Sequence, residues 1–170
     1  MKITVIFFLL ALILSPCGAA PLGESAFDMI SISADEASED EQPGILNFRG
    51  NFLMQSSDWQ LTSTQATVYG SPNNPDRVYL EGSPARFLIH QVNQPDKDSI
   101  EAAALVVEYL RASNMLTLSG NATLKLGNEV IRSAVIEYDI GTNRYKASGT
   151  DGVLIEVPPV GTSASPLVGH

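Results

Sequence analysis

The 170 residues of this chain and its formal net charge of −9 exclude several classes of protein. A chain this acidic offers no basic face to nucleic acid or to anionic lipid headgroups, so we expect no nucleic-acid partner. With a single cysteine it cannot form an internal disulfide, and its length is enough for one domain and not obviously for two.

The N-terminal 20 residues have the features of an export signal. Lys2 supplies a positive start, residues 3–14 form a predominantly apolar run, and residues 15–20 are small. This run is shorter than the roughly 20 apolar residues that a membrane-spanning helix needs. We therefore predict a cleaved signal peptide over residues 1–19. A lipid attached at Cys17 and an uncleaved membrane anchor are the alternatives.

Alternating apolar residues then predict short strands over residues 29–34, 45–54, 59–69 and 77–90. The acidic residues 36–41 are expected to be a solvated turn, and residues 71–76 and 91–98 to be polar loops. Pro84 lacks a backbone donor, which indicates a bulge or corner within residues 77–90. Residues 100–112 could form a helix face, but paired β-branched residues favour a strand.

The clearest pattern is a hairpin over residues 116–145. Apolar residues occupy every second position on both sides of the Gly127-Asn128 turn, as in a strand with one buried face. A second turn follows at residues 141–143, and residues 145–157 predict a last pair of strands around residues 149–152. Residues 158–170 are predicted to be a flexible tail.

Parts of this hairpin recur along the chain. Residues 48–51 match residues 118–121, and a glycine recurs at Gly50, Gly82, Gly120 and Gly149. Irregular repeats of this kind predict an all-β fold of antiparallel hairpins, with glycine where a strand bends or backbones approach closely.

No catalytic constellation emerges. Of the two histidines, His90 follows an apolar run at a strand end, and His170 is the last residue. The carboxylates mostly fall in predicted loops, and their spacing matches no metal-binding motif. We therefore predict no enzyme activity, no cofactor and no metal site, with a hydrolase acting on envelope glycans as the alternative.

Four motifs occur in a fixed order: Ile-x-Ile-x-Ala-Asp (30–35), Phe-x-Gly-Asn (48–51), Gly-x-Pro-Ala-x-Phe (82–87) and Leu-x-Gly-Asn-Ala (118–122). In these motifs the chain resembles the OstA-like family of periplasmic lipopolysaccharide-transport proteins, over roughly residues 29–157. The resemblance implies a single open β-jellyroll (residues 20–157), shaped like a clamshell, in the periplasm. It also implies an apolar groove that carries lipopolysaccharide from the inner to the outer membrane.

The resemblance further implies a head-to-tail oligomer between an inner-membrane LptC-like and an outer-membrane LptD-like protein. By strand phase and motif match, the residues expected to line the groove are Ile30, Ile32, Phe48, Phe52, Phe87, Tyr109, Leu118, Leu124, Ile136 and Tyr138. The edges expected to pair between copies carry Met29, Ile30, Ser31, Val153, Leu154 and Ile155.

Besides the hydrolase, three alternatives stay open from the sequence. The same inward residues could fill an ordinary closed sandwich that binds no ligand. The chain could be an LptC-like component that keeps its N-terminal segment as an anchor. It could also be a periplasmic scaffold or chaperone that binds protein strands at its sheet edges.

Overall fold

The computed structural model describes residues 29–90 and 99–158. The predicted signal peptide (1–19), the polar loop (91–98) and all of the predicted tail except Pro158 lie outside these ranges. The described residues form ten strands: β1 (Ser31–Ser33), β2 (Glu36–Glu39), β3 (Ile45–Gln55), β4 (Trp59–Ser71), β5 (Asn74–Ile89), β6 (Ile100–Leu110), β7 (Met115–Leu126), β8 (Glu129–Asp139), β9 (Arg144–Ser148) and β10 (Leu154–Glu156). One short 3-10 helix, Arg111–Ser113, follows β6.

These strands make a single antiparallel sheet, which confirms the predicted all-β class and the strand assigned to residues 100–112. From β3 to β8 each strand pairs with the next one in the chain. At one edge both β1 and β2 pair with β3, and at the other edge both β9 and β10 pair with β8. Two predictions were therefore wrong. The acidic segment contains an edge strand, and β9 and β10 do not pair with each other.

A line of bulges crosses the sheet. The pairing register shifts between Arg49 and Phe52 on β3, and similar shifts follow on β4, β5, β6 and β7. The shifts lie side by side because Arg49 pairs with Gln65, and Gln65 with Glu81. Bulges bend a strand and increase its twist, so this line divides the sheet into two lobes.

The first lobe holds residues 45–49, 65–71, 74–81, 106–110, 115–119 and 135–139 with β2 and β9. The second lobe holds residues 52–55, 59–62, 85–89, 100–103 and 122–133 with β1 and β10. The repeated Gly-Asn motif lies on the bulge line, where Gly50, Asn51, Gly120 and Asn121 all adopt positive φ. Glycine and asparagine tolerate this conformation better than other residues.

The two lobes fold toward each other. Phe87 pairs with Ala102 on β6, and Tyr109 lies seven residues after Ala102 on the same strand. If β6 were straight, Tyr109 would lie about 23 Å from Ala102. The ring centroids of Phe87 and Tyr109 are nevertheless 6.2 Å apart. The inner faces of the lobes are therefore opposed, as in the clamshell that the family resemblance implies.

Alternating side chains from both lobes fill the space between them. In each lobe, paired residues of neighbouring strands form a row that crosses the strands. The row in the first lobe consists of Phe48, Ala66, Leu80, Val107, Leu118 and Ile136. The row in the second lobe consists of Met54, Leu61, Phe87, Ala102, Leu124 and Ile131. All twelve are buried, and the described part of the chain buries no polar or charged residue. Each large side chain in these rows contributes about 1.5–3 kcal/mol to folding.

Candidate functional site: an apolar cavity between the lobes

A cavity of about 370 Å³ opens between the free ends of the two lobes. Apolar side chains line it from both sides. The second lobe and the segment before it contribute Ile30, Met54, Trp59, Leu61, Phe87 and Ile89. The first lobe and the turn after β8 contribute Val78, Tyr109 and Ile140. Apolar walls with few polar groups are typical of sites for hydrophobic ligands.

The rim of the cavity is polar at the end of the first lobe, where Asn73, Asn74, Pro75 and Arg111 lie. Arg111 donates from Nε to the carbonyl oxygen of Pro75 at 3.0 Å, and its Nη2 lies 2.5 Å from Oδ1 of Asp76. These two contacts hold the guanidinium group at the boundary between the apolar wall and solvent.

Tyr109 presents its ring to the cavity and its hydroxyl to the rim. The hydroxyl donates to Oδ1 of Asn114 at 3.2 Å. Burial raises the pKa of Tyr109, and the nearby positive charge of Arg111 acts in the opposite direction. The side chain therefore stays neutral at physiological pH, which suits an apolar wall.

The ten residues predicted to line a groove lie in three settings. Ile30, Phe87 and Tyr109 line the cavity, and Ile32 packs half-buried against the core. The other six lie within the packed core, where ligand cannot reach them in this conformation: Phe48, Phe52, Leu118, Leu124, Ile136 and Tyr138.

The cavity is also one-sided. Although Ile140 directly after β8 contributes to the wall, no residue of β7, β8, β9 or β10 does. On that side Leu118, Leu124 and Tyr138 are fully buried by direct packing. The groove is thus open between β1 and β6 and closed toward β9 and β10.

Several lining residues were not identified from the sequence. Met54 and Leu61 share the inward phase of residues that were chosen, so alternation alone could have found them. Trp59 was interpreted as an aromatic residue that closes a hairpin end. Arg111 carries no local signal, because it follows the last residue of a strand.

The two sheet edges expose apolar side chains. Met29 beside β1 is 84% exposed, and at the other edge Leu154 and Ile155 are 53% and 48% exposed. All three residues of β10 are exposed, and this strand is held to β8 by backbone pairing, with an ion pair between Arg132 and Glu156 across the two strands. Unprotected apolar edges of this kind are templates for pairing with another strand.

Within residues 29–90 and 99–158 there is no cluster of three or more histidine, cysteine, aspartate or glutamate side chains that could hold a metal ion. The same residues include no helix long and apolar enough to cross a bilayer.

Comparisons with known proteins agree with this architecture. The chain is 26% identical over 147 residues to the lipopolysaccharide export system protein LptA of Haemophilus influenzae, which covers 85% of this chain and 84% of that protein. It is 25% identical over 130 residues to LptH, a protein of the same export system in Pseudomonas aeruginosa, covering 76% and 73%.

A crystal structure of LptH from Pseudomonas aeruginosa superposes with a TM-score of 0.68 at 23% sequence identity, covering 78% of this chain and 96% of that chain. It is described as the LptA-homologous periplasmic component of the lipopolysaccharide transport device, and the likeness supports the predicted fold. A family model described as LptA/(LptD N-terminal domain) LPS transport protein matches residues 31–144, which is more than half of the chain. The chain belongs to this family, and the family resemblance noted in its sequence is confirmed.

Proposed function

We propose that this chain is a periplasmic lipopolysaccharide carrier that holds the acyl chains of the lipid between its two lobes. The apolar cavity that opens between the lobes carries this proposal. Each buried methylene group contributes about 0.8 kcal/mol, so an acyl chain of about a dozen carbons gains roughly 10 kcal/mol before entropic costs. Binding then needs no basic surface, which reconciles an anionic lipid with an acidic chain.

The cavity holds only part of such a lipid, because its volume is about 370 Å³. Carriage of a whole lipid therefore requires the lobes to part further, so that ligand also reaches Leu118, Leu124, Ile136 and Tyr138. The bulge line, where bending is concentrated, is the natural hinge for this opening.

Copies of the chain are proposed to stack head to tail. The sheet has eight strand positions from β1 to β10, each antiparallel to the next, so the two edge strands run in opposite directions. A second copy in the same orientation therefore brings its β1 antiparallel to β10 and its β2 antiparallel to β9. This pairing continues the sheet and extends the inner face from one copy to the next.

In the proposed pathway the stack joins an LptC-like protein at the inner membrane to an LptD-like protein at the outer membrane. The family and the export-system names of the two relatives support these partners. The chain is proposed to act as a carrier and not as an enzyme, so the energy for transport must come from another component.

Photo-crosslinking in growing cells tests the carrier function. A photoreactive amino acid is placed at Phe87, which lines the cavity, or at the neighbouring residue Arg86, which is exposed on the outer face. We expect lipopolysaccharide adducts at position 87 and none at position 86.

A folded protein without adducts at position 87 would reject the carrier function. Adducts with other proteins at positions 154 and 155 alone would then favour a scaffold that binds protein strands at its exposed edges.

A further inference from the structure

We propose that a hydrogen bond between Tyr145 and Glu129 is a latch that closes the groove at its β9–β10 side. The hydroxyl of Tyr145 donates to Oε1 of Glu129 at 2.8 Å. The role of the latch rests on the proposed carrier function, whereas its effect on the distance between the lobes can be measured without any lipid.

The bond crosses the mouth of the clamshell. Tyr145 pairs with Tyr138 in the first lobe, whereas Glu129 begins β8 in the second lobe. Nine residues separate Glu129 from Tyr138 on the same strand, a distance of about 30 Å if the strand were straight. Two side chains cannot span that distance, so the contact exists only because β8 bends and brings the two lobe ends together.

The position of the bond matches the closed side of the groove. The cavity is lined by residues up to Arg111, directly after β6, and by Ile140, and no residue of the strands that carry Glu129 and Tyr145 lines it. Behind the bond, Leu116, Ile131 and Tyr138 are fully buried. A lipid that moves from the open side toward β10 must therefore separate the lobes at this point.

The chemistry of the pair suits a reversible latch. The hydrogen bond to Glu129 raises the pKa of Tyr145, and burial and the negative charge of Glu129 raise it further, so the hydroxyl keeps the proton that it donates. Both side chains are only partly buried. Water can therefore replace the bond when the lobes part, and neither group is left without a partner.

The latch also lies where one copy would hand lipid to the next. Tyr145 is on β9, whose outer edge would pair with β2 of a second copy in the proposed stack. A lipid that leaves by this edge passes between Tyr145 and Glu129. The pair is therefore placed to control exit from one copy, whereas entry occurs at the open side beside Ile30.

Distances between spin labels test the latch in the absence of lipid. In a chain carrying Cys17→Ser, labels at Asn128→Cys and Arg144→Cys report on the second and first lobes beside Glu129 and Tyr145. We expect Tyr145→Phe and Glu129→Ala to shift the distance distribution to longer values. A single hydrogen bond between partly exposed side chains changes the open-to-closed ratio by about two- to tenfold.

Two further variants serve as matched controls. Tyr79→Phe also removes a tyrosine hydroxyl that donates to a glutamate, but its partner Glu81 lies in the same lobe, so the distance should stay unchanged. Glu129→Gln keeps an oxygen that can accept from Tyr145 and should stay close to the unmodified chain. If Tyr145→Phe left the distribution unchanged, or if Tyr79→Phe widened it equally, the latch would be rejected.

Loading with fluorescently labelled rough lipopolysaccharide then connects the latch to transport. We expect Tyr145→Phe to load about two- to tenfold faster than the unmodified chain, with Tyr79→Phe unchanged. If no variant bound the lipid, the carrier function would fail while the distance data still decided the latch. If Tyr145→Phe and the unmodified chain both bound lipid and loaded at the same rate, the gating role of the latch would be overturned, whereas the carrier function would stand.

Discussion

The carboxylate of Asp35 occupies the space beside Gly50 in which any other residue would carry its Cβ atom. A Cβ atom built at Gly50 would lie 2.1 Å from Oδ2 of Asp35. The same oxygen accepts from Nδ2 of Asn51 at 2.9 Å, and the backbone nitrogen of Asp35 donates to the carbonyl oxygen of Gly50 at 2.9 Å. The junction between β1 and β2 is thereby fixed to the bend in β3.

This contact predicts that Gly50→Ala destabilises the protein more than Gly44→Ala does. Both glycines have positive φ, which strains an alanine by about 1–3 kcal/mol. A Cβ atom at Gly44 has no neighbour within 4 Å, whereas at Gly50 it must also displace Asp35. We expect an additional loss of about 1–2 kcal/mol, measured as the free energy of unfolding in urea.

A double mutant separates strain from displacement. In a chain carrying Asp35→Gly, Gly50→Ala should cost about as much as Gly44→Ala, because the carboxylate of residue 35 and its Cβ atom, which would lie 2.9 Å from the new Cβ atom, are both gone. An undiminished cost in that background would show that the contact with Asp35 is not the cause.

The buried tyrosine on β8 predicts a loss of stability at high pH. Burial raises the pKa of Tyr138, and the nearby charge of Asp139 raises it further. The folded chain therefore holds this proton more tightly than the unfolded chain, so the stabilisation is complete below the ordinary tyrosine pKa of about 10. It is lost as pH rises through the raised value in the folded state.

Urea unfolding at about pH 8 and about pH 11 measures this effect. We expect the unfolding free energy to decrease between these two pH values, and to decrease less in Tyr138→Phe, which has no proton to lose at this position. An equal decrease in the variant would assign the alkaline loss to the other tyrosines.

The charges at the two edges predict an assembly that weakens in salt. The edge strand β2 carries Glu36 and Glu39, and the strand it would meet in a stack, β9, carries Arg144 and Lys146. Exposed pairs contribute about 0.2–1 kcal/mol each and are screened at high ionic strength. We expect sedimentation analysis to show smaller oligomers as salt increases.

Charge exchange makes this test specific. A chain with Arg144→Glu and Lys146→Glu should assemble poorly alone but should assemble with a chain that carries Glu36→Lys and Glu39→Lys. If neither change altered assembly, these charges would have no part in the contact.

Proline substitutions on β10 test backbone pairing at the same edge. Adjacent residues of a strand direct their N–H groups to opposite sides, so only one of Leu154→Pro and Ile155→Pro removes a donor that faces outward. We expect the variant that removes the outward-facing donor to yield monomers, because a proline at that position interrupts strand addition. Oligomers of unchanged size in both folded variants would place the contact elsewhere.

Local features of the fold were predictable because strand periodicity is encoded in neighbouring residues. Alternation located the hairpin formed by β7 and β8, and the repeated Gly-Asn motif marked the bends at Gly50 and Gly120. The acidic segment was misjudged because Glu36 and Glu39 are exposed on an edge strand, where pairing to β3 needs only backbone groups. The acidic side chains at this position are therefore compatible with a strand and did not indicate a turn.

Which parts of the groove are open and which are closed depends on tertiary structure, so this could not be predicted from the sequence. Phe87 and Leu118 have the same inward phase, yet Phe87 lines a cavity and Leu118 is sealed in the core. The difference arises from how far the lobes close at each position. The hydrogen bond from Tyr145 to Glu129 could not be predicted from the sequence either. It requires β8 to bend between Glu129 and Tyr138, which would lie about 30 Å apart in a straight strand.

The eight strand positions between the two edges set a unit of length. Neighbouring strands lie about 4.8 Å apart, so each stacked copy would add about 38 Å to a fibre. Such a fibre would span a gap between two membranes in steps of this size. Since every added copy would present a fresh edge, nothing within residues 29–90 and 99–158 would end the growth. The spacing of the membranes, and end partners that offer only one matching edge, would have to determine how many copies fit.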